Sequence, residues 1–186
     1  MSFEECEGLI KDELGKYRKE AMSAESERVE MNEWRALVEA EQEVARCRAE
    51  LNRLSSRVES LRKAMSSRSA WDRSTALEFL RLFPEDVPEL LDLLADLSLS
   101  PGWAQPAREA IRAASREIAP YRFVEIVARY LSDGEAEDYV MLANMLTHVE
   151  AWEALGALIK RALESGDLEI KEVAHDFTES YSGMLP

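Results

Sequence analysis

Histidine and cysteine, the residues most often used for metal binding and nucleophilic catalysis, are scarce in this sequence. The chain has two histidines, His148 and His175, and two cysteines, Cys6 and Cys47. None of them has a second His or Cys at the short spacing that zinc ligands require, and imidazole-based triads have little material. We therefore expect both histidines to be structural or exposed, and we expect no bound metal or cofactor.

Carboxylates are abundant, but their pattern does not predict catalysis. The densest group lies around Gly134 and contains Asp133, Glu135, Glu137 and Asp138. A catalytic pair needs one carboxyl group desolvated beside another, and a calcium loop needs alternating oxygen ligands with a distal Glu. Neither pattern is present, and the seven glycines are too scattered to form a phosphate-binding loop. The sequence predicts that the protein is not an enzyme.

The charge distribution favours basic protein partners. The net charge is −14, of which −3 falls on residues 1–67 and −11 on the remainder. A field of this sign repels phosphate backbones and anionic lipid. We therefore expect no binding to nucleic acid or to membranes, although one small basic patch follows from the helical spacing of Arg108, Arg112, Arg116 and Arg122.

The termini and the overall composition predict a cytoplasmic protein. The first residues have neither a basic segment nor an apolar one, so they do not resemble a secretory signal. No stretch approaches the roughly 20 apolar residues of a membrane span. The excess of arginine over lysine is compatible with a GC-rich bacterial genome.

The elements that position these residues are predicted to be helices throughout. Between Gly15 and Pro84 there is no Gly or Pro over 68 positions, so the strongest helix breakers are absent. Apolar residues in this segment repeat every seven residues, which is typical of a coiled coil. The predicted seam consists of Leu37, Val44, Leu51, Leu54, Val58 and Leu61.

An earlier heptad set, which includes Met31 and Val38, is out of phase with this seam by one position. Two structures are compatible with that shift. The segment either folds back near 23–26 as an antiparallel hairpin, or remains one helix of about 90 Å that pairs with another chain. A helix packed on the rest of its own chain is a third possibility. In a parallel homodimer Glu43 faces Arg48 favourably, whereas Arg57 faces Arg62 unfavourably.

The second half of the chain contains a repeat of 32 residues. Gly102, Gly134 and Gly166 recur at this interval after apolar runs, and Trp71 and Trp103 are spaced by it as well. A glycine just past a helix is typical of a left-handed C-cap. Seven helices at 3.6-residue periodicity are predicted here, with Asp86 and Glu89 as a capping box and the acidic outer face of the last helix as a polar cap.

This pattern of tandem hairpins resembles the HEAT and armadillo-like α-solenoids over about 69–183. The resemblance implies a protein-interaction scaffold and carries over no functional residue. The predicted fold class is all-α. A long helix or coiled coil over 1–67 is followed at 69–183 by a short right-handed α-solenoid of three hairpins and a capping helix.

Two functions are compatible with these features. The first is a non-catalytic adaptor, in which the coiled coil sets the oligomeric state, possible homo-oligomers included, and the solenoid binds a basic protein. The second is an immunity or inhibitor protein that neutralises a basic toxin or nuclease, since acidic surfaces steer fast association with such partners. The expected docking surface consists of Asp133, Glu135, Glu137, Asp138, Glu150 and Glu153.

Overall fold

The computed structural model describes residues 3–131 and 134–185; before residue 28 it describes side chains only at 16, 19, 22 and 23. These residues form helices and turns and no strand, so the prediction of an all-α fold is confirmed. The helices are α1 (Phe3–Asn52), α2 (Arg57–Met65), α3 (Ala70–Leu82), α4 (Val87–Ser98), α5 (Ala104–Ala113), α6 (Pro120–Tyr130), α7 (Ala136–His148), α8 (Trp152–Leu163) and α9 (Leu168–Tyr181). A 3-10 turn, Pro84–Asp86, precedes α4.

The chain divides into two units, Met1–Arg53 and Leu54–Pro186. In the described residues of the first unit, α1 is a single helix of 50 residues. It passes through residues 23–26 without interruption, so of the two structures compatible with the sequence α1 has the continuous helix and not the hairpin turn at 23–26. Serine at positions 23 and 26 does not break the helix, because its lower helix propensity costs only roughly a few tenths of a kcal/mol per residue.

The break in the N-terminal segment comes earlier than the boundary expected at residues 67–69. Helix α1 ends at Asn52, and residues 53–56 form turns before α2 begins. The second unit therefore includes α2, which packs against α3 and α4. A helix can end without Gly or Pro when burial of the next segment against other elements outweighs the backbone hydrogen bonds lost at the break.

Side-chain contacts show what holds α2 in the second unit. Leu61 and Met65 are 2% and 1% exposed. The guanidinium of Arg57 donates two hydrogen bonds to the carboxylate of Asp86, one of them from Nη2 at 2.8 Å. Arg62 donates to the carbonyl oxygen of Glu89 at 3.2 Å. The expected capping box at Asp86 is therefore wrong: its side chain makes no cap hydrogen bond to α4 and pairs with Arg57 instead.

Helices α2–α9 are arranged in two rows, as in a helical repeat. In one row α3, α5, α7 and α9 pack each on the next; in the other, α2 packs on α4 and α6 on α8. Between α4 and α6 the link is made by ion pairs, described below. Helices that follow one another along the chain join the rows, most extensively α4 with α5 and α8 with α9. All seven helices predicted after residue 69 are present.

The apolar interior lies between the two rows. Most of the side chains expected to face it are buried, including Leu80, Leu94, Ile111 and Leu142 with no exposed surface. Leu163, which was expected to face the interior, is 44% exposed. Trp71, which the repeat places level with Trp103, is 83% exposed and lies outside the interior. Trp71 lies in the first turn of α3, ahead of the positions that face the interior.

The repeated glycines occupy matching places but do not share a conformation. Gly102, Gly134 and Gly166 lie in the connections that follow α4, α6 and α8. Gly102 has a positive φ, of 82°, whereas Gly166 does not, so the expectation of a left-handed cap is wrong for Gly166. Glu150 also has a positive φ, of 61°, in the left-handed region. It ends α7 in a Schellman motif, in which the amide of Ala151 donates to the carbonyl of Leu146 at 2.9 Å.

Candidate functional site

The acidic cluster predicted around Gly134 lies at the start of α7. The carboxylate of Asp138 accepts a hydrogen bond from the amide of Glu135 at 2.9 Å, as part of a capping box. Glu135 and Glu137 are exposed. Asp133 lies outside the described residues. Negative charge in a first helical turn is also favoured by the helix dipole, so this cluster both stabilises α7 and exposes carboxylates to solvent.

A second acidic group, which the sequence analysis missed, lies at the next connection of the same kind. Glu164, Asp167 and Glu169 are exposed around the turn from α8 to α9, and the carboxylate of Asp167 caps α9 by accepting from the amide of Glu169 at 2.8 Å. The 32-residue period places this turn level with the one after α6, and that equivalence was the available signal.

The two connections adjoin in the fold. A shallow cavity of ≈ 470 Å³ is lined by residues from both, including Gly134 and Tyr139 on one side and Glu164 and Ile170 on the other. Arg161 also lines it and donates a hydrogen bond to the carbonyl oxygen of Leu131, which ends α6. We call the exposed carboxylates of this region the acidic end: Glu135, Glu137, Glu164, Asp167 and Glu169.

The remaining two residues of the predicted surface, Glu150 and Glu153, lie at the other end of α7. Since α7 has 13 residues, its two ends are about 20 Å apart. Glu150 forms an ion pair with Arg112 at 2.6 Å. The structure therefore does not bring all the predicted acidic residues together; it divides them between two ends of the helix rows.

A cavity of ≈ 350 Å³ lies at this second end, between the α5–α6 and α7–α8 connections. Ile118 and Phe123 contribute buried apolar side chains to its lining, whereas Arg116 and Glu153 contribute charged ones. Positive and negative groups are mixed here. This end therefore lacks the excess of carboxylates that characterises the acidic end.

Three of the four arginines of the predicted basic patch make contacts within the fold. Arg108 donates hydrogen bonds to the carbonyl oxygens of Ser98 and Met141, at 3.2 and 3.5 Å, and burial lowers its pKa. Arg112 pairs with Glu150. Arg122 pairs with Asp92 at 3.5 Å. These arginines are used to join neighbouring helices, so they do not form a continuous surface for phosphates.

A polar network joins α4 to α6. Arg129 binds Asp92 at 2.7 Å and lies 3.9 Å from Asp96, and the hydroxyl of Tyr130 donates a hydrogen bond to Asp96. Burial raises the pKa of Asp96; Arg129 opposes this shift, and the nearby charge of Asp92 adds to it. These charged contacts link α4 and α6, two helices of one row, so the cluster serves to hold the fold together.

The two histidines lie in different surroundings. The Nε2 atom of His148 is buried and has no hydrogen-bond partner. Burial and the positive charges of Arg112 and Arg108 lower its pKa, and Glu109 partly opposes them. His175 is exposed. Within the part of the chain that the structure describes, no three His, Cys, Asp or Glu side chains come close enough together to hold a metal ion.

The predicted coiled-coil seam is divided between the two units. Leu37 and Val44 lie on α1 and are 51% and 42% exposed, and Leu51 is half-buried. Leu54 lies in the turn after α1, and Val58 and Leu61 lie on α2. The seam is therefore interrupted after Leu51, and its last residue belongs to the interior of the second unit.

Comparison with protein-family models found no match, and comparisons with curated proteins and with solved structures also found none.

A helix that crosses a bilayer needs about 20 apolar residues, and no helix among residues 3–131 and 134–185 offers a stretch that is long and apolar enough.

Proposed function

We propose that this chain is a non-catalytic adaptor that binds a basic protein through the acidic end. In this proposal the second unit is a short right-handed α-solenoid of the HEAT and armadillo type, α1 pairs with a partner helix as a coiled coil, and the protein works in the cytoplasm. The observation that carries the proposal is that the α6–α7 and α8–α9 connections, both of which carry exposed carboxylates, meet at one cavity on one end of the helix rows.

The packing pattern supports the solenoid part of the proposal. In a solenoid each repeat contacts only its neighbours, and helices of the same kind stack in rows. The pairs α3 with α5, α5 with α7, and α7 with α9 pack in this way. The exposed carboxylates of α9, Glu172, Asp176 and Glu179, fit a terminal helix whose outer face meets water.

The charge distribution supports the binding part. The acidic end carries five exposed carboxylates, whereas its cavity is lined by one arginine, Arg161. A surface of one sign attracts partners of the opposite sign and speeds their association, in a manner that falls with ionic strength. Basic peptides or basic faces of folded proteins are the partners that such a surface recognises.

Charge reversal tests the proposal with a matched control. The variant E137K/E164K reverses two exposed carboxylates of the acidic end and spares Glu135, Asp138 and Asp167, which cap helices. The control E117K/E153K makes the same change in net charge at the other end. Tagged proteins are used for affinity capture from the native host, and bound proteins are identified by mass spectrometry.

We expect basic proteins bound by the unchanged chain at 50 mM salt to be lost from E137K/E164K and retained by E117K/E153K. Raising the salt concentration should release the same proteins, because screening at 1 M shortens the Debye length to about 3 Å. Identical sets of bound proteins for the two variants would refute a docking role for the acidic end.

A further inference from the structure

Helix α1 exposes an apolar stripe that its own unit leaves uncovered. The first unit, Met1–Arg53, consists of this one helix in its described residues. Leu37 and Val44 are 51% and 42% exposed. A single helix has no interior in which to bury such side chains, and helices in water draw most of their stability from packing of an apolar face.

The stripe has the spacing of a coiled-coil seam over two heptads. Leu37, Val44 and Leu51 occupy a positions, and Ala40 and Cys47 occupy the intervening d positions. The preceding a and d positions would fall on Glu30 and Glu33, which would place charges in the seam. The paired segment is thereby limited to about 21 Å, from Leu37 to Leu51.

From this geometry we infer that α1 pairs with α1 of a second copy of this chain, parallel and in register, along Leu37–Leu51. The inference rests on the coiled-coil part of the proposed function and names its partner and orientation. Each seam residue then lies opposite the same residue of the second copy, and Cys47 lies opposite Cys47.

The charged positions beside the seam favour this orientation. In a parallel pair a g residue faces the e residue five positions later in the other helix, so Glu43 faces Arg48 of the second copy. In an antiparallel pair g faces g and e faces e; the g positions of this segment are Ala36, Glu43 and Glu50, and the e positions are Glu41 and Arg48. On its g side the antiparallel pair would therefore place glutamates together, whereas the parallel pair places Glu43 beside Arg48 on both sides of the seam.

Contacts of α2 in the structure remove one objection to this choice. The one repulsive contact expected in a parallel pair, between Arg57 and Arg62, does not arise. Both residues lie on α2, where Arg57 binds Asp86 and Arg62 donates to Glu89.

Cysteine cross-linking tests partner, orientation and register together. The variant C6S retains Cys47 as its single cysteine, and C6S/C47S/A40C places the single cysteine at the other d position. The matched control C6S/C47S/A49C has its cysteine at an f position, on the side of α1 away from the seam. The full chain is oxidised with copper phenanthroline, since a disulfide forms only when the two Cβ atoms can approach to about 4 Å.

We expect covalent dimers from C6S and from the A40C variant, and several-fold fewer from the A49C control. Before oxidation, sedimentation equilibrium should give twice the chain mass of 21.1 kDa. The substitution R48E should weaken the dimer roughly tenfold, a change of about 1.4 kcal/mol, and E43R/R48E should restore it because the pair is rebuilt with its charges exchanged.

Three results would overturn the inference. A monomeric mass at 100 µM would show that α1 does not bind a second copy. Cross-linking at only one of the two d positions would indicate an antiparallel or shifted pair, because no antiparallel register brings both residues to their own counterparts. Equal cross-linking by the control would indicate random collision. These readouts do not involve a basic partner, so they fail or succeed independently of the E137K/E164K experiment.

Discussion

Replacing Leu61 or Leu37 by alanine tests whether the two residues belong to one coiled-coil seam, as the sequence predicts, or to different units, as in the structure. Both leucines belong to the predicted coiled-coil seam, and both substitutions remove the same three carbon atoms. In the structure Leu61 is 2% exposed between α2, α3 and α4, whereas Leu37 is 51% exposed on α1. We therefore expect the L61A and L37A variants to differ sharply in the stability of the second unit.

The expected magnitude follows from burial. Replacing a fully buried leucine by alanine costs about 2–5 kcal/mol, from lost transfer free energy and from the cavity that remains. With about 3 kcal/mol for L61A and a denaturant dependence of about 1.5–2 kcal/mol per M in urea, the unfolding midpoint should fall by about 1.5–2 M. Surface substitutions stay within about 0.5 kcal/mol, so L37A should leave this midpoint unchanged.

Urea unfolding followed by tryptophan fluorescence measures the difference. A W34F background removes the fluorophore of α1, so that the signal comes only from the second unit, at Trp71, Trp103 and Trp152. L37A should instead lower the fraction of dimer, and with it the average mass measured by sedimentation equilibrium. Equal midpoints for L61A and L37A, or a larger effect of L37A on the second unit, would show that α2 is not part of that unit and would refute the reasoning from burial.

Two further predictions concern the connections and the partly buried His148. G102A should destabilise the second unit by about 1 kcal/mol because φ is positive there, whereas G166A, where a Cβ atom meets nothing within 4 Å, should be neutral or stabilising by about 0.5 kcal/mol; thermal unfolding measures both. Stability should fall as pH decreases from about 6.5, because unfolded His148 binds a proton that the folded form resists. H148Q should reduce this slope between pH 6.5 and 5 in urea titrations.

Each of these predictions has its own control. G102A and G166A control for each other, and equal effects would contradict the assignment of backbone strain to Gly102 alone. For the pH dependence, H175Q changes an exposed histidine, and an equal reduction of the slope by H148Q and H175Q would show that the response is not specific to His148. An unchanged slope in H148Q would show that the buried Nε2 atom does not determine the response.

Much of the second unit could be predicted from local pattern. The 3.6-residue spacing of residues such as Leu90, Leu94 and Ile111 placed them in the interior, where they are fully buried. Pro84 marked a helix end and Pro120 a helix start. Proline has no backbone N–H to donate, so it ends a helix or occupies the first turn of the next one. These signals are local, because an apolar stripe and a fixed φ act within one or two turns of the chain.

The candidate site was less predictable because it combines residues from distant connections. Glu137 and Glu164 are 27 positions apart, and only the packing of α6, α7, α8 and α9 brings their turns to one cavity. Glu150, by contrast, is closer in sequence to Glu137 but lies about 20 Å away, at the far end of α7. Charge counting along the chain cannot distinguish the two cases.

The sequence alone determined that this protein is helical, that its second half is built on a 32-residue period, and that its charge is negative. Only the tertiary structure decided where the N-terminal helix ends. A heptad pattern is the same whether leucines face a second chain or a neighbouring helix, and burial of Leu61 and pairing of Arg57 with Asp86 assign α2 to the second unit. Contacts between residues distant in sequence made that choice, because periodicity specifies which face of a helix is apolar but not what covers it.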